Sequence, residues 1–272
     1  MSSTPNDEVR RPFRRYRSRT PEITALFWIM KVVVSVAGSL LAALISGSLG
    51  LGITTMLVTT AVAVTMLIQF AAARYLPWLY WLTTVMIGIF GVLAVDNLTD
   101  TFEVPPGAAA IALALLLVAT FIAWYATEKT LSIHTVDTTR RETFYWLAVL
   151  LTFALGTAAE RFGFAVLGLG YGSMAVAAAA LTVLLSAGHR FARLGAETMF
   201  WLAYAITQPL GAALSDLLTR PRDTGGLGFG VVAVSGAVLA VFVVAVAYTG
   251  VTHRDDPSLH YATRHVRPRS EW

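Results

Sequence analysis

Eight stretches of this chain carry almost no charge: residues 23–45, 53–73, 78–95, 108–126, 144–159, 173–187, 199–218 and 231–248. A helix needs about 20 mostly apolar residues to cross a bilayer, and the shorter runs reach that length by extending into their flanks. Backbone N–H and C=O groups in hydrocarbon must be satisfied within their own segment, which leaves helices or closed barrels. Barrel strands alternate apolar and polar residues over about ten positions, and these runs do not alternate. The expectation is therefore an all-α integral membrane protein with eight transmembrane helices.

Composition excludes the soluble alternatives. Only 13% of the 272 residues are charged and 56% are hydrophobic, whereas soluble domains carry about 25% charged residues. Too few charges remain to cover a soluble surface. With no cysteine in the chain, disulfides, thiolate metal sites and cysteine nucleophiles are excluded as well. The first apolar run is too long for a signal-peptide core and contains Trp28 and Lys31, so it reads as a retained span.

The charges set the orientation. Residues 1–19 hold Arg10, Arg11, Arg14, Arg15, Arg17 and Arg19 with little to bury, and read as a disordered basic tail. An apolar run follows at once, so membrane lipid rather than nucleic acid is the expected partner of this tail. Sixteen of the 20 Lys and Arg fall on the side holding both termini, three (Arg161, Arg220 and Arg222) on the other, and Lys31 inside a span. The bias predicts both termini in the cytoplasm of a cell (inner) membrane, N-in and C-in.

The chain is also one unit written four times. An aromatic–Trp pair opens every odd-numbered run: Phe27–Trp28, Tyr80–Trp81, Tyr145–Trp146 and Phe200–Trp201. Ten residues after each Trp stands a glycine: Gly38, Gly91, Gly156 and Gly211. A glycine-bearing turn follows each odd run, at 47–52, 105–107, 168–172 and 225–230, and an even run then returns to the basic side. The expected organisation is a cytoplasmic tail (1–19), a membrane domain (20–250) of four tandem helical hairpins (about 20–77, 78–141, 142–197 and 198–250) and a second cytoplasmic tail (251–272). All four hairpins run in the same direction, so their symmetry axis lies along the membrane normal.

This pattern resembles a bacterial membrane family known only as a repeat of unknown function, with four tandem two-span repeats and a characteristic Trp. The opening Thr20-Pro21-Glu22-Ile23-Thr24 and Phe27-Trp28-Ile29-Met30-Lys31 carry the resemblance. It covers roughly residues 20–250 and implies fold and location, with no activity. Members of the family often place acidic residues just after the repeat glycine. Here Asp96 and Asp216 stand five positions after Gly91 and Gly211, but the equivalents are Ala43 and Arg161, with Glu160 one place earlier.

At 100° per residue, positions 3, 7, 10 and 14 after each Trp share one stripe of the helix. It reads Lys31, Ser35, Gly38, Ala42; Thr84, Gly88, Gly91, Val95; Val149, Phe153, Gly156, Glu160; and Tyr204, Gln208, Gly211, Ser215. Small and polar residues here suit close helix packing first and, second, the lining of a polar pathway; the two readings are compatible. The tryptophans suit an aromatic belt at the headgroups or packing that closes the cytoplasmic end of the bundle. Lys31 either snorkels to the interface or serves as a carboxylate partner or charge gate. Asp96, Glu160 and Asp216 are either solvated helix ends or intramembrane functional groups, and Glu160 has Arg161 and Arg220 as available partners. Gln208-Pro209 reads as a tolerated kink or as a break lining a site.

The five histidines all fall in loops or the tail, so no metal site is expected. No cofactor is expected either, and no nucleophile elbow, P-loop or zinc-hydrolase motif is present. The chain is expected not to be an enzyme. The leading functional reading is a small transporter or channel for a cation or small solute. Its candidate pathway or ion-binding residues are Lys31, Asp96, Glu160, Gln208 and Asp216. The rival is a non-transporting membrane scaffold binding lipid or a partner protein. A homo-oligomer is compatible with either.

Overall fold

A computed structural model describes residues 19–72, 74–188 and 195–252; the N-terminal tail before Arg19, Arg190, Arg193, His189 and the C-terminal segment holding His253, His260 and His265 lie outside them. The described chain forms eight long helices: α1 (Ala25–Leu49), α2 (Leu51–Ala71), α3 (Pro77–Asp96), α4 (Pro106–Glu128), α5 (Thr139–Ala165), α6 (Tyr171–Gly188), α7 (Ala196–Thr219) and α8 (Val231–Thr252). Each of the eight apolar runs is one helix. Six (α1 to α5 and α8) are long and apolar enough to cross a membrane, and α6 contributes a shorter apolar stretch, Tyr171–Leu185. The remaining one, α7, carries Glu197, Gln208 and Asp216 and continues through Pro209.

Local chemistry explains the helix ends. Thr24 and Thr138 cap α1 and α5 by accepting from the backbone N–H of Phe27 and Arg141, each at 3.3 Å. Proline opens α3 and α4, where its missing N–H has no intrahelical partner to lose. Between α1 and α2 the expected glycine-rich loop shrinks to one residue. Gly50, at φ 82°, turns the chain in a conformation that a side chain would strain.

The helices form two concentric layers. The odd helices α1, α3, α5 and α7 make a closed inner ring, each packed on the next and α7 packed back on α1. Each even helix lies outside, mainly against the odd helix of the following unit: α2 on α3, α4 on α5, α6 on α7 and α8 on α1. The hairpin is thus the unit of sequence but not the unit of packing. Large apolar side chains such as Leu67 on α2, Leu115 on α4, Val183 on α6 and Val244 on α8 face outward, as a lipid-facing layer requires.

Two belts of contacts close the ring, and both repeat four times. In the first, each repeat glycine meets the residue seven after the next Trp. A Cβ on Gly38 would stand 3.2 Å from the Gly88 carbonyl carbon, and one on Gly91 2.9 Å from Phe153 Cβ. One on Gly156 would lie 2.6 Å from Gln208 Cβ, and one on Gly211 2.8 Å from the Ser35 carbonyl carbon. Without side chains at these points the backbones approach and gain dispersion contact along their length. In the second belt, the aromatic before each Trp packs on the Trp of the next unit. Phe27–Trp81, Tyr80–Trp146, Tyr145–Trp201 and Phe200–Trp28 have ring centroids 5.7, 5.4, 5.9 and 5.6 Å apart, within the favourable range for aromatic pairs. Trp81, Trp146 and Trp201 are buried. The Tyr80 and Tyr145 hydroxyls hydrogen-bond to each other inside this belt.

Beyond the aromatic belt, where the odd helices begin, Glu142 ties several segments together. Its buried carboxylate pairs with Arg19 and accepts from Gln69 Nε2 at 3.2 Å and Trp146 Nε1 at 3.5 Å. Glu197, at the same place relative to Trp201, accepts from Thr130 Oγ1 at 3.1 Å and the Leu131 N–H at 3.0 Å.

Two outcomes are expected from thermal unfolding of the purified full-length protein. Gly211→Ala forces α7 off α1 and destabilises by about 1–3 kcal/mol, while Gly236→Ala on α8, where a Cβ meets nothing within 4 Å, leaves the melting temperature unchanged or slightly raised. Glu142→Gln removes the charge that pairs with Arg19 and lowers the melting temperature by several degrees, a loss on the order of 2 kcal/mol.

Candidate functional site

At the end where the odd helices finish, the ring opens into one cavity of about 910 Å³. Its lining follows the repeat. Eleven residues after each Trp come Ser39, Val92, Thr157 and Ala212; four further on Ala43, Asp96, Arg161 and Asp216; four further again Gly47, Asp100, Ala165 and Arg220. A spacing of four residues keeps one helix face toward the axis. The same face of all four odd helices therefore lines the cavity, and the fourfold axis runs through it.

Five carboxylates (Asp96, Asp100, Glu103, Glu160 and Asp216) and two guanidinium groups (Arg161 and Arg220) line the space. Arg161 holds Asp96 in an ion pair and donates to Asp100 Oδ1 at 3.0 Å and Thr99 Oγ1 at 2.6 Å. A π-helical turn, Asn97–Thr101, sets up that arrangement by carrying Thr99 and Asp100 to the mouth. Asn97 anchors the turn, donating to Leu93 O at 2.7 Å and Thr55 Oγ1 at 2.8 Å. Arg220, just past the end of α7, pairs with Asp216 at 3.3 Å. Burial works against its charge, but Asp216 and Tyr171 outweigh that and raise its pKa.

Glu160 is different. It is 7% exposed, lines the cavity and has no hydrogen bond or ion pair within the described residues. The sequence offered Arg161 and Arg220 as its partners, yet Arg161 turns to Asp96 at the same level on α3 and Arg220 to Asp216 one turn back on α7. The charges that face Glu160 are those of Asp216, Arg161, Arg220 and Asp96. The Ser39 hydroxyl, also in the lining, is likewise without a partner. A buried polar atom without a partner costs free energy comparable to a lost hydrogen bond, which applies to the Ser39 hydroxyl, while the Glu160 carboxylate lines the cavity itself.

Of the sequence candidates, Asp96, Glu160 and Asp216 come together here; Lys31 and Gln208 do not reach the cavity lining. Nor does the stripe at positions 3, 7, 10 and 14 line it, Glu160 excepted: the stripe glycines lie between helices. Gln208 packs on Gly156 across the α5–α7 contact, and both its amide atoms are buried without a partner. Lys31 is buried, 1% exposed, so it does not snorkel, and no ion pair holds it among the described residues. Its Nζ donates to Ser35 Oγ at 3.0 Å and stands over the rings of Phe153 and Tyr204, 3.9 and 4.4 Å from their centroids. Phe153 belongs to α5, opposite α1 in the ring, and its ring extends to Gly88 of α3, so the Lys31 amine meets side chains from across the ring below the residues that line the cavity.

Sequence reasoning missed Thr99, Asp100, Glu103 and Glu142. The first three follow a helix that a pattern of apolar residues ends at Val95. Glu142 had one available sign, the Glu-Thr-x-aromatic-Trp arrangement that recurs at Glu197. Within the described residues no group of three or more His, Asp or Glu side chains is placed to hold a metal ion.

No curated protein and no solved structure matches this chain. A family model does, over two stretches that coincide with α3–α4 and α7–α8. Residues 79–130 and 199–255 are similar to the family model described as Repeat of Unknown Function (DUF347).

Proposed function

We propose that the chain is an eight-span cell-membrane protein, both termini cytoplasmic, that conducts or transports a cation or small solute along the axis of the odd-helix ring. The topology is supported by charge. Among the described residues, Arg19, Arg74, Lys129, Arg140 and Arg141 lie where the odd helices begin, and a Lys/Arg excess marks the cytoplasmic side. The acidic cavity then opens outward.

The observation that carries the reading is the cavity on the fourfold axis in which five carboxylates outnumber two arginines and Glu160 has no partner. A concave site of one sign, walled by apolar helices, concentrates ions of the opposite sign. Ionisable side chains are rarely placed at membrane depth without use. Asp96 and Asp100 are held by Arg161 and Asp216 by Arg220, which leaves Glu103 at the exposed rim and, deeper in, Glu160 and Ser39 to take up an arriving cation. The rim charges attract; the unpaired carboxylate binds.

The test is flux into proteoliposomes holding the full-length protein, read with ion-sensitive dyes for a panel of monovalent and divalent cations. Glu160→Gln is expected to lower the rate for the responsive ion roughly tenfold, the equivalent of about 1.4 kcal/mol. Asp96→Asn combined with Asp216→Asn is expected to weaken apparent affinity at low ionic strength more than at high, because screening does the same work as removing the charges. Unchanged transport of every responsive ion in these variants defeats the mechanism, and a wild-type protein inert to the whole panel favours the scaffold instead.

A companion outcome concerns Arg161. Arg161→Met leaves Asp96 and Asp100 unpaired in the cavity, so the melting temperature should become dependent on added calcium or magnesium chloride beyond a matched ionic strength of sodium chloride. Equal responses of variant and wild type would show that the cavity does not gather cations.

A further inference from the structure

The axis beneath the cavity holds an amine that belongs to the chain itself, the Lys31 side chain. Lys31 leaves α1 and places its ammonium over two aromatic faces, Phe153 from α5 and Tyr204 from α7, with Ser35 Oγ as its one hydrogen-bond acceptor. Among the described residues no carboxylate is paired with it. Aromatic faces attract ammonium groups through their quadrupole, most strongly when water is excluded, and Lys31, Ser35, Phe153 and Tyr204 are all buried. Space for this arrangement comes from the repeat. At the position equivalent to Ser35 and Phe153 the second unit has Gly88, where a Cβ would lie 2.9 Å from Phe153 Cε1. The Phe153 ring occupies that vacancy.

We infer that Phe153, Tyr204 and Ser35 form an axial binding site for a small ammonium-type cation, and that Lys31 fills it in cis as a tethered plug. Two rings and one hydroxyl acceptor suit a primary ammonium. They do not suit a divalent cation, which takes several oxygen ligands. The cage stands without the transport reading, whereas the plug's action as a gate rests on it. In the gated form an ammonium drawn into the acidic cavity competes with Lys31 for the rings. Displacement of the side chain then opens the level between the cavity and the aromatic belt.

The experiment vacates the cage and offers it a free amine. Lys31→Ala in the full-length protein removes the tethered ammonium, and methylammonium chloride is the probe, with sodium chloride at equal concentration as the control. The expected result is a saturable rise in melting temperature of Lys31→Ala, roughly 3–5 °C at tenfold over the dissociation constant, absent in wild type and absent when Phe153→Leu is added. Where Lys31→Ala does not survive purification, methylammonium is supplied throughout: recovery of monodisperse protein only with the amine supports the cage. Failure of the amine to rescue or stabilise Lys31→Ala overturns it, as does an equal effect in wild type. Methylammonium flux through the same variant in proteoliposomes separates the two ideas. Stabilisation with increased flux supports cage and gate, while stabilisation without any flux supports the cage and counts against the transport reading.

Discussion

The close approach of neighbouring odd helices at the repeat glycine is the contact on which everything else in this structure depends. Each of Gly38, Gly91, Gly156 and Gly211 receives backbone or Cβ atoms of the next odd helix, at distances that exclude a methyl group at Gly91, Gly156 and Gly211 and leave it only a tight fit at Gly38. Four such contacts in one rotational sense close a ring, and a closed ring has an axis. The cavity, the Lys31 cage and the aromatic belt are three levels on that axis. In lipid there is little hydrophobic drive between helices, because lipid tails are as apolar as leucine, so association rests on backbone proximity and dispersion. The even helices then cover the ring. Because each even helix leans on the following unit's odd helix, covering the ring also fastens one unit to the next, and α8 on α1 closes that outer chain of contacts.

Backbone repetition and side-chain divergence have separate consequences. The four units supply the same backbone positions to the cavity, yet the occupants at one level are Ala43, Asp96, Arg161 and Asp216. Four identical carboxylates there would repel one another across a low-dielectric space. The chain instead places one arginine among two aspartates at this level and another at the next, and ion pairs hold the aspartates. Space is divided in the same way below. Phe153 lies against the glycines of the second unit, and Lys31 extends where its own helix has only Ser35 to meet. An axis of fourfold origin therefore carries a site with no fourfold symmetry, acidic at the mouth with the single Lys31 amine beneath.

Helix existence and the repeat were legible in the sequence because both have short periods: apolar runs of span length, and a Trp-to-glycine offset of ten. The residues that converge on the cavity were legible in part. Asp96, Glu160 and Asp216 stand out as carboxylates at the ends of apolar helices, and the repeat register places them at one depth. Partner choice was not legible. Arg161 and Glu160 are adjacent in sequence, which suggests a pair, but neighbours on a helix point about 100° apart, and Arg161 reaches across the cavity to Asp96 and Asp100 while Glu160 lines the same cavity without it. The direction of Lys31 was hidden for a similar reason: near a helix start, snorkelling is the ordinary outcome, and only the aromatic faces of two distant units make the inward course favourable. Which odd helix each even helix covers is likewise a tertiary fact, invisible in hairpins that read as self-contained.

The two belts of the ring give the axis opposite properties at its two ends. The glycine belt sits beside the cavity and depends on the absence of side chains, so small shifts there change helix separation directly. The aromatic belt depends on large rings in contact, Phe27, Tyr80, Tyr145 and Phe200 each seated on the next unit's Trp, with Tyr80 and Tyr145 also joined through their hydroxyls. No ring in that belt can move without disturbing the unit after it. A change that widens the cavity end in one unit is therefore resisted at the aromatic end by all four. Lys31 lies between, attached to α1 and resting on side chains of α5 and α7, so its position reports the spacing of three of the four odd helices at once.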